Sequence, residues 1–442
     1  MATTTPGSNY SDLPLLDVLL QGRRLGFRER TALFSRFLGG LLRHEPMGGM
    51  FFRRILSRVD REVLVQNHDG STQTMLMFGS NSYLGLPTHP RVIAAVENAL
   101  AEWGAGVGGP PMLNGYANLH RALEERLADF EGTEDVVLFG SGYAANVGLM
   151  STLPSPDDLV LYDESSHASF FDGLRLGGHS GVAFAHNDVG ALAAQLEAVQ
   201  DRPGDRFVGV EGVYSMDGDL APLDEIVALC GRHGALLVVD DAHGTGITGQ
   251  GRGTAYHYGV HGAVDVMMGT FSKAFAVTGG FAACSKPVAD YLRLVARSYV
   301  FSASLPPQTV AAVLAGLDVI EEEPERHARM LENARYLTAG LRRLGFEANP
   351  ESAIFSLPVP PPLNIRPMAF AFHQRGLFLN HVEFPAVKPS AQRFRVSVMA
   401  THTREDLDRL LTAIEEVWDE ALPQGDGLQG AARVELRKDA EG

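Results

Sequence analysis

Short apolar runs alternate with helix-like patterns from about residue 75 to residue 300 of this chain. Each run is nearly free of polar positions, which is typical of strands that are buried on both faces of a parallel sheet. The stretches between the runs repeat apolar residues at helical spacing. The alternation therefore predicts a mostly parallel sheet with helices on both faces. The predicted strands include residues 135–139, 158–162, 206–210, 235–239 and 265–269.

The pattern changes in the later part of the chain. A proline-rich stretch interrupts it at 357–363, and a strand-like run at 393–398 precedes a long amphipathic pattern. Thr403 followed by Asp406 predicts a capped start for a final helix. We predict an N-terminal extension, a large domain, a smaller C-terminal α+β domain and a flexible tail, at residues 1–74, 75–310, 311–420 and 421–442. Residues 1–12 are also predicted to be mobile, because they lack apolar periodicity.

Composition and charge narrow the class of protein. With 442 residues and 45% hydrophobic content, the chain can bury a sizeable core and form two or three domains. Its formal charge of −16 speaks against nonspecific nucleic-acid binding, so local donors must hold any small anionic ligand. Two cysteines, Cys230 and Cys284, and the lack of a leading apolar segment favour a cytoplasmic protein. We find no run long enough to span a bilayer, and we predict no metal site.

Lys273 is one of only four lysines, and it stands in Thr-Phe-Ser-Lys about thirty residues after a strand-like run that ends at Asp240. A lysine amine forms an imine with an aldehyde cofactor. Pyridoxal 5′-phosphate (PLP) also needs a carboxylate that keeps its ring nitrogen protonated. Asp240 is expected at the carboxyl edge of the sheet, where open α/β sheets bind ligands. The pair therefore predicts a PLP site, against the alternative of a strand-ending aspartate and a surface lysine.

A glycine-containing turn, Gly-Ser-Gly-Tyr-Ala at 140–144, follows the first of these strands and leads into a helical pattern. Free backbone amides at a helix N-terminus are suited to hold a phosphate. A glycine turn without a ligand is the alternative.

Six segments in this order resemble the α-oxoamine synthases: residues 81–86, 140–146, 166–169, 211–218, 239–246 and 270–273. The resemblance covers about residues 75–420. It implies the fold of fold-type I PLP-dependent transferases, which is aspartate aminotransferase-like. It also implies a decarboxylative condensation of an amino acid with an acyl thioester. Members include 8-amino-7-oxononanoate synthase, 2-amino-3-ketobutyrate ligase, 5-aminolevulinate synthase and serine palmitoyltransferase, and the motifs do not choose among them.

The resemblance also implies a role for each matching residue. It assigns the cofactor phosphate to two amides and two hydroxyls of one subunit and two serines of another, in a homodimer: Gly142, Tyr143, Ser215, Thr270, Ser302 and Ser304. His167 would stack on the pyridine ring, although it also suits a helix cap. His243 would donate to the phenolic oxygen of PLP, and Asn81 would contact the substrate. His120 matches a further family histidine, but it begins an amphipathic helix and we interpret it as structural.

Arg395 matches the family's clamp for the carboxylate of the amino acid. A planar guanidinium suits that task because it pairs with both carboxylate oxygens. Arg393, two residues earlier, shares its face of the strand, so alternation alone cannot choose between them. In the implied reaction Lys273 removes the Cα proton. An aminotransferase would use the same Lys273 and Asp240 but would release a keto acid, whereas a silent partner subunit would lack the lysine.

The acyl donor is the least determined part of the prediction. Residues 21–58 carry nine arginines against two glutamates, interleaved with apolar residues. This pattern predicts amphipathic helices with a basic face, which could dock an acidic acyl carrier protein, lie on a membrane or only pack on the protein. The loop at 106–115 contains Val107 and the pair Pro110-Pro111 where many relatives have a small hydroxyl residue. We therefore predict a carrier-bound donor, with coenzyme A as the alternative.

Overall fold

The computed structural model describes residues 15–43, 50–67, 69–348 and 352–422. Residues 1–12 and 423–442 of the predicted tails lie outside these ranges. The helices are α1 (Leu15–Gly22), α2 (Phe27–Arg43), α3 (Pro90–Trp103), α4 (Asn118–Glu131), α5 (Gly142–Thr152), α6 (Ala168–Gly177), α7 (Val189–Ala198), α8 (Leu223–His233), α9 (Thr254–His257), α10 (Lys286–Val295), α11 (Arg297–Val300), α12 (Pro307–Glu322), α13 (Pro324–Arg343), α14 (Ile365–Gln374) and α15 (Arg404–Ala421). The strands are β1 (Arg54–Ile55), β2 (Glu62–Gln66), β3 (Thr72–Met77), β4 (Asp135–Phe139), β5 (Leu159–Asp163), β6 (Ser180–Phe184), β7 (Arg206–Glu211), β8 (Leu236–Asp240), β9 (Val266–Thr270), β10 (Gly280–Cys284), β11 (Ile354–Pro358), β12 (Leu377–Phe378), β13 (Asn380–Val382) and β14 (Arg393–Ser397).

Seven strands form the central sheet, in the order β4-β10-β9-β8-β7-β5-β6. Only β10 runs antiparallel to its neighbours, and the other neighbouring pairs are parallel. The five predicted strands are confirmed, each to within one residue at either end. They were recognisable because strands covered by helices on both faces are apolar throughout, and β4 and β9 are buried at every position.

The strand register brings functional side chains to one edge of this sheet. Glu211 at the end of β7 pairs with Asp240 at the end of β8, and Asp240 pairs with Met268 of β9. The loop that carries Lys273 leaves the same edge just after β9. The predicted site therefore lies at the carboxyl edge of the parallel strands.

A second, smaller core joins the two ends of the described chain. Strands β1, β2 and β3 form a sheet with β12, and Met50, Leu76 and Phe78 pack in one cluster with residues between 334 and 418. Our prediction of amphipathic helices through residue 58 is wrong for its last part, because Arg54–Ile55 is a strand that pairs with β2. The domain boundaries themselves remain a prediction.

Helices α1 and α2 pack against each other through Val18, Leu33 and Phe37. This pair of helices, residues 15–43, is called the N-terminal hairpin below. At the other end, the predicted cap of α15 is confirmed: the Thr403 hydroxyl accepts from the Asp406 amide, and the Asp406 carboxylate accepts from the Thr403 amide. Among the helices described, none is long and apolar enough to cross a membrane.

Candidate active site

A cavity of about 550 Å³ lies at the carboxyl edge of the central sheet. Its volume is in the range of small-molecule sites in proteins. Six of the residues singled out in the sequence contribute to its lining: Asn81, His167, Ser215, His243, Lys273 and Arg395. They come from six separate segments of the chain, so the fold has brought together residues that are up to 314 positions apart.

Lys273 lies in the turn after β9 and faces the cavity. Burial lowers the pKa of its amine to about 8, although the carboxylates of Asp240 and Glu211 act in the opposite direction. Within the described residues, its amine makes no hydrogen bond. A lysine whose amine is partly neutral near physiological pH is a competent nucleophile toward an aldehyde and a competent base.

Asp240 and His167 are tied together by two buried side chains that our sequence analysis did not single out. Asn146 of α5 donates to the Asp240 carboxylate at 2.6 Å and to the Ser169 hydroxyl at 3.0 Å. The same hydroxyl lies 2.7 Å from Nδ1 of His167. The backbone amide of Ala242 donates to the other Asp240 oxygen at 3.0 Å. These bonds fix the carboxylate and the imidazole relative to each other.

His167 also caps the N-terminus of α6, where its ring accepts from the Ser169 amide. The interpretation of His167 as a helix cap is therefore correct. The same residue also lines the cavity. Burial lowers the pKa of His167, against the attraction of Asp240. Its ring is thus a neutral aromatic surface, which suits stacking on another flat ring.

His243 belongs to a second network, centred on the buried phenol of Tyr83. The Tyr83 oxygen lies 2.8 Å from Nδ1 of His243 and 3.4 Å from a guanidinium nitrogen of Arg395. Asn81 accepts from Arg395 at 2.8 Å and from Tyr83 at 3.3 Å. Burial lowers the pKa of His243 well below its usual range, and the nearby Lys273 adds to that effect.

The two candidate arginines of β14 lie in different surroundings. Arg395 is buried, lines the cavity and donates from Nε to the backbone oxygen of Ser215 at 2.5 Å. Arg393 pairs with Asp217 and donates to the backbone oxygen of Ala391. Neither Arg393 nor these two partners line the cavity. The placement favours Arg395 as the residue that meets a substrate carboxylate.

The turn after β4 has the geometry of an anion cradle. Ser141 caps α5 by accepting from the Ala144 amide at 3.0 Å, and no acceptor among the described residues binds the amides of Gly142 and Tyr143. A Cβ on Gly142 would lie 2.9 Å from the Thr270 hydroxyl, so only glycine allows this close approach. Two free amides and a hydroxyl at a helix N-terminus suit a phosphate.

Other residues that matched the family lie apart from the cavity of this chain. The Tyr143 side chain is half exposed and its hydroxyl donates to Asp172. Ser302 and Ser304 line a separate small depression beside His120. The ring of His120 accepts from the Ala117 amide and contacts the backbone oxygen of Leu305 at 2.8 Å. These contacts support the structural interpretation of His120, which stays a prediction.

Glu211 is a functional candidate that our sequence analysis missed. Its carboxyl group is buried next to Asp240, and burial together with the Asp240 charge raises its pKa well above the usual range. Glu211 is thus expected to hold a proton at neutral pH and to leave one negative charge on the pair. An acidic residue directly after an apolar strand, one strand away from Asp240, was the available signal.

These residues fit PLP. The aldehyde has a reactive amine in Lys273, the phosphate has the free amides of Gly142 and Tyr143, and the ring nitrogen has a fixed carboxylate in Asp240. Three His, Cys, Asp or Glu side chains that could hold a metal ion together do not occur in the described part of the chain.

Comparison with known proteins decides the family. Residues 73–414 match the family of class I and II aminotransferases. The chain belongs to this family.

Relatives within the family are more specific. The chain is 40% identical to the 8-amino-7-oxononanoate synthase of Exiguobacterium sibiricum, over 78% of this chain and 89% of that protein. It is 38% identical to the serine palmitoyltransferase of Sphingobacterium spiritivorum, over 84% of this chain and 92% of that protein. The solved serine palmitoyltransferase of Sphingomonas wittichii superposes with a TM-score of 0.80 at 34% identity, and covers 89% of this chain and 96% of that one.

These relatives confirm the prediction of an α-oxoamine synthase with the fold of fold-type I PLP enzymes. The chain is an acyl-transferring enzyme of this class, and its cofactor is PLP. The two named activities differ, so the family does not fix the substrates. The roles of the individual side chains are taken up next.

Proposed function

We propose that this enzyme joins an amino acid to an acyl thioester at the Lys273 cavity and releases carbon dioxide, a free thiol and an α-amino ketone. One observation carries the proposal: a lysine amine with a lowered pKa and a buried arginine line the same cavity. The first suits the cofactor and proton transfer, and the second suits the substrate carboxylate.

The roles follow from the hydrogen bonds. Bound at this site, PLP supplies a ring that withdraws electrons from the α-carbon of the amino acid. Asp240, held by Asn146 and the Ala242 amide, keeps a proton on the ring nitrogen. Lys273 holds the cofactor and then accepts the Cα proton. His167 would offer its ring to the cofactor, and His243, oriented by Tyr83, would donate to the cofactor's phenolic oxygen.

Arg395 orients the substrate. Its guanidinium is held by the Ser215 carbonyl and by Asn81, so it is already fixed before a carboxylate arrives. Such preorganisation lowers the entropy cost of binding and sets the rotation about the Cα bonds. Asn81 contacts Arg395 and also lines the cavity, which supports its assignment to the substrate.

The reaction makes and breaks bonds at the α-carbon of the amino acid and at the thioester carbonyl. The α-carbon forms a carbon–carbon bond with the thioester carbonyl, and the thiolate leaves and takes up a proton. The original carboxylate then departs as carbon dioxide, and a proton returns to the α-carbon. An aminotransferase would instead release a keto acid and leave the thioester intact.

Product analysis separates these functions. Purified enzyme with PLP would be incubated with a panel of amino acids and acyl thioesters, and mass spectrometry would follow the products. We expect equal amounts of carbon dioxide, free thiol and α-amino ketone with at least one pair of substrates. A keto acid with no thiol release would support an aminotransferase instead. Lys273→Ala serves as the matched inactive control.

We propose further that the donor is bound to an acidic acyl carrier protein, which docks on the N-terminal hairpin. Five arginines of the hairpin are exposed: Arg23, Arg24, Arg28, Arg30 and Arg36. Leu15, Phe37 and Leu41 of the same hairpin line the active-site cavity. The hairpin therefore lines the cavity from one end and carries exposed arginines around the turn at its other end. In a chain of charge −16, these arginines would attract an acidic carrier with a thioester on its flexible arm.

Not all nine arginines of the segment belong to this surface. Arg53 stacks on the Phe378 ring at 3.4 Å and donates to the Leu379 carbonyl, and burial lowers its pKa to about 10. Arg54 donates to Gln66 across β1 and β2. Arg53 is therefore a packing residue, and reversing its charge would disturb the fold rather than test docking. The Arg43 side chain lies outside the described residues.

The docking proposal is tested with one acyl chain presented on a carrier protein and on coenzyme A. Replacing Arg23, Arg24, Arg28 and Arg30 by glutamate should lower kcat/KM for the carrier-bound chain at least about tenfold and leave the coenzyme A ester unaffected. The difference should shrink with added salt, because exposed charges are screened over about 8–10 Å at physiological ionic strength. Reversal of Arg202 and Arg232, at the opposite edge of the sheet, is the control.

Equal or better use of the coenzyme A ester, with no selective loss in the variant, would contradict carrier docking. Sedimentation of the native protein with anionic vesicles, lost in the same variant, would assign the basic surface to a membrane instead.

A further inference from the structure

The cavity around Lys273 has two chemically different sides. The floor is polar and holds the side chains assigned above to cofactor and amino acid. The other side is apolar and comes from two segments, the N-terminal hairpin and the stretch from the last residue of β13 onward. Its lining residues are Leu15, Phe37, Leu41, Val382, Phe384, Pro385 and Ala386. The hairpin precedes the residues that match the family, which begin at residue 73.

Charged groups on this side are neutralised within the protein. Arg366 makes hydrogen bonds to both carboxylate oxygens of Glu383 at 3.2 Å and a further one at 3.1 Å. Burial lowers the pKa of His381 to about 4, so its ring is uncharged at neutral pH. Phe51 packs edge-on against that ring, with centroids 5.0 Å apart. The apolar side of the cavity therefore presents no unpaired charge to a ligand.

We infer that the N-terminal hairpin forms the roof of a binding site for the aliphatic tail of the acyl donor, and that Phe37 and Leu41 help to set the chain length. The inference rests on the proposed condensation. A donor with a polar thioester and an apolar tail matches a cavity with a polar floor and an apolar roof. An amino acid alone would use the floor, because both of its charged groups are held there.

The roof residues are well placed for this role. Phe37 and Leu41 lie one helical turn apart on the buried face of α2, and both face the cavity. Phe27 lies on the same helix but is 72% exposed. The hairpin thus contains matched phenylalanines on its cavity and solvent faces.

Binding of unreactive acyl thioethers of increasing length, measured by calorimetry on the PLP-loaded enzyme, tests the inference. In the native protein each added methylene should tighten binding by about fourfold until the site is full. Leu41→Ala should weaken binding of the longest chain at least about tenfold and flatten the dependence on length. Leu41→Trp should shorten the longest chain that still gains affinity. Phe27→Ala should behave as the native protein does.

The outcomes separate this inference from the proposed function. If binding affinity depends on acyl-chain length in the same way in Leu41→Ala, Leu41→Trp and Phe27→Ala, the inference that the hairpin binds the acyl tail is wrong. This holds even if the native enzyme forms an α-amino ketone. A change in amino-acid preference in Leu41→Trp, with an unchanged dependence on acyl length, would overturn the inference as well. Failure of every thioester to react would remove the proposed function and the inference together.

Discussion

Arg395 and Arg393 project from the same face of β14, two residues apart, and only one of them lies in the cavity. Period-two alternation could not separate them, because it assigns both to one face. What separates them is the partner that each meets in the fold: Asp217 for Arg393, and Asn81 with the Ser215 carbonyl for Arg395. Contacts between segments that are far apart in sequence cannot be obtained from the pattern of a single strand.

Arg395→Ala should weaken amino-acid binding and leave PLP bound. A charge-assisted hydrogen bond contributes about 1.5–3 kcal/mol, which corresponds to roughly ten- to two-hundredfold in affinity. Spectral titration of the PLP-loaded enzyme with the amino acid measures this directly. Arg393→Ala is the matched control, and an affinity loss confined to that variant would transfer the role to Arg393.

Lys273 should react in a pH range that is low for a lysine. With a pKa of about 8, about one amine in ten is neutral at pH 7, whereas for an ordinary lysine the fraction is roughly one in 2,500. In PLP-free enzyme, the rate of PLP uptake should therefore rise through a midpoint near pH 8. A rate that keeps rising without a midpoint up to pH 10 would contradict the lowered pKa.

Tyr83 and Glu211 show why part of the site was missed. Both belong to segments that carried the family resemblance, but a tyrosine and a glutamate have many structural roles. Tyr83 becomes informative only when its hydroxyl is seen between His243 and Arg395, and Glu211 only when it is seen beside Asp240. By contrast, Lys273 and Asp240 could be predicted because the chemistry of an imine site restricts the residue types.

At the scale of elements, the central strands were predictable and the N-terminal strands were not. Strands β4, β5, β7, β8 and β9 are short apolar runs, since helices cover both of their faces. Residues 54–58 mix arginines with apolar residues, and the same pattern suits an amphipathic helix. The N-terminal strands form by pairing with each other and with β12, about 300 residues later in the chain.

The loop after the edge strand β6 is held by a histidine between two carboxylates. His186 lies 2.9 Å from an oxygen of Asp163, at the end of β5, and 2.9 Å from an oxygen of Asp219. Burial lowers the pKa of His186, but the hydrogen bonds and charges of these two aspartates raise it to about 10. The folded protein therefore binds this proton more tightly than the unfolded chain, whose histidine has a pKa near 6.5.

His186→Gln should lower the free energy of unfolding by about 2 kcal/mol at pH 6. The raised pKa gives the sign: the stabilisation is complete below about pH 6.5 and is lost as the pH rises through about 10. Denaturant unfolding across this range should show the native and variant proteins converging as pH increases. His233→Gln, whose side chain makes no hydrogen bond within the described residues, is the control. A difference that grows with pH would refute the assignment.

For the molecule as a whole, large exposed apolar side chains favour a dimer with shared sites. Leu113 is 81% exposed and Phe301 is 72% exposed, near the depression that contains Ser302 and Ser304. Exposed apolar side chains grouped on one face mark an interaction surface. The two serines are separate from the Lys273 cavity of their own chain, as expected if they serve the partner's site.

Mixing two inactive variants tests the shared site. If Lys273→Ala subunits are refolded together with Ser302→Asp subunits, random pairing should restore about a quarter of the native activity, because each mixed dimer has one complete site. Each variant refolded alone is the control. Dimers by sedimentation without restored activity would show that Ser302 acts within its own subunit or in neither site.

The roof of the cavity is the feature that the sequence revealed least. The hairpin was recognisable as amphipathic, but its apolar face could equally have packed on the body or on a second subunit. Only the fold brings Leu15, Phe37 and Leu41 to the cavity that holds Lys273. A tertiary position of this kind depends on the surface that the rest of the chain presents.

The central claim is that the chemistry is centred on Lys273, and borohydride trapping tests it most directly. The purified enzyme with PLP would be reduced, digested and analysed by peptide mass spectrometry. We predict a stable pyridoxyl adduct on the peptide that contains Lys273, with loss of the visible absorption band. An adduct on Lys286 or Lys388, with the Lys273 peptide unmodified, would contradict the account.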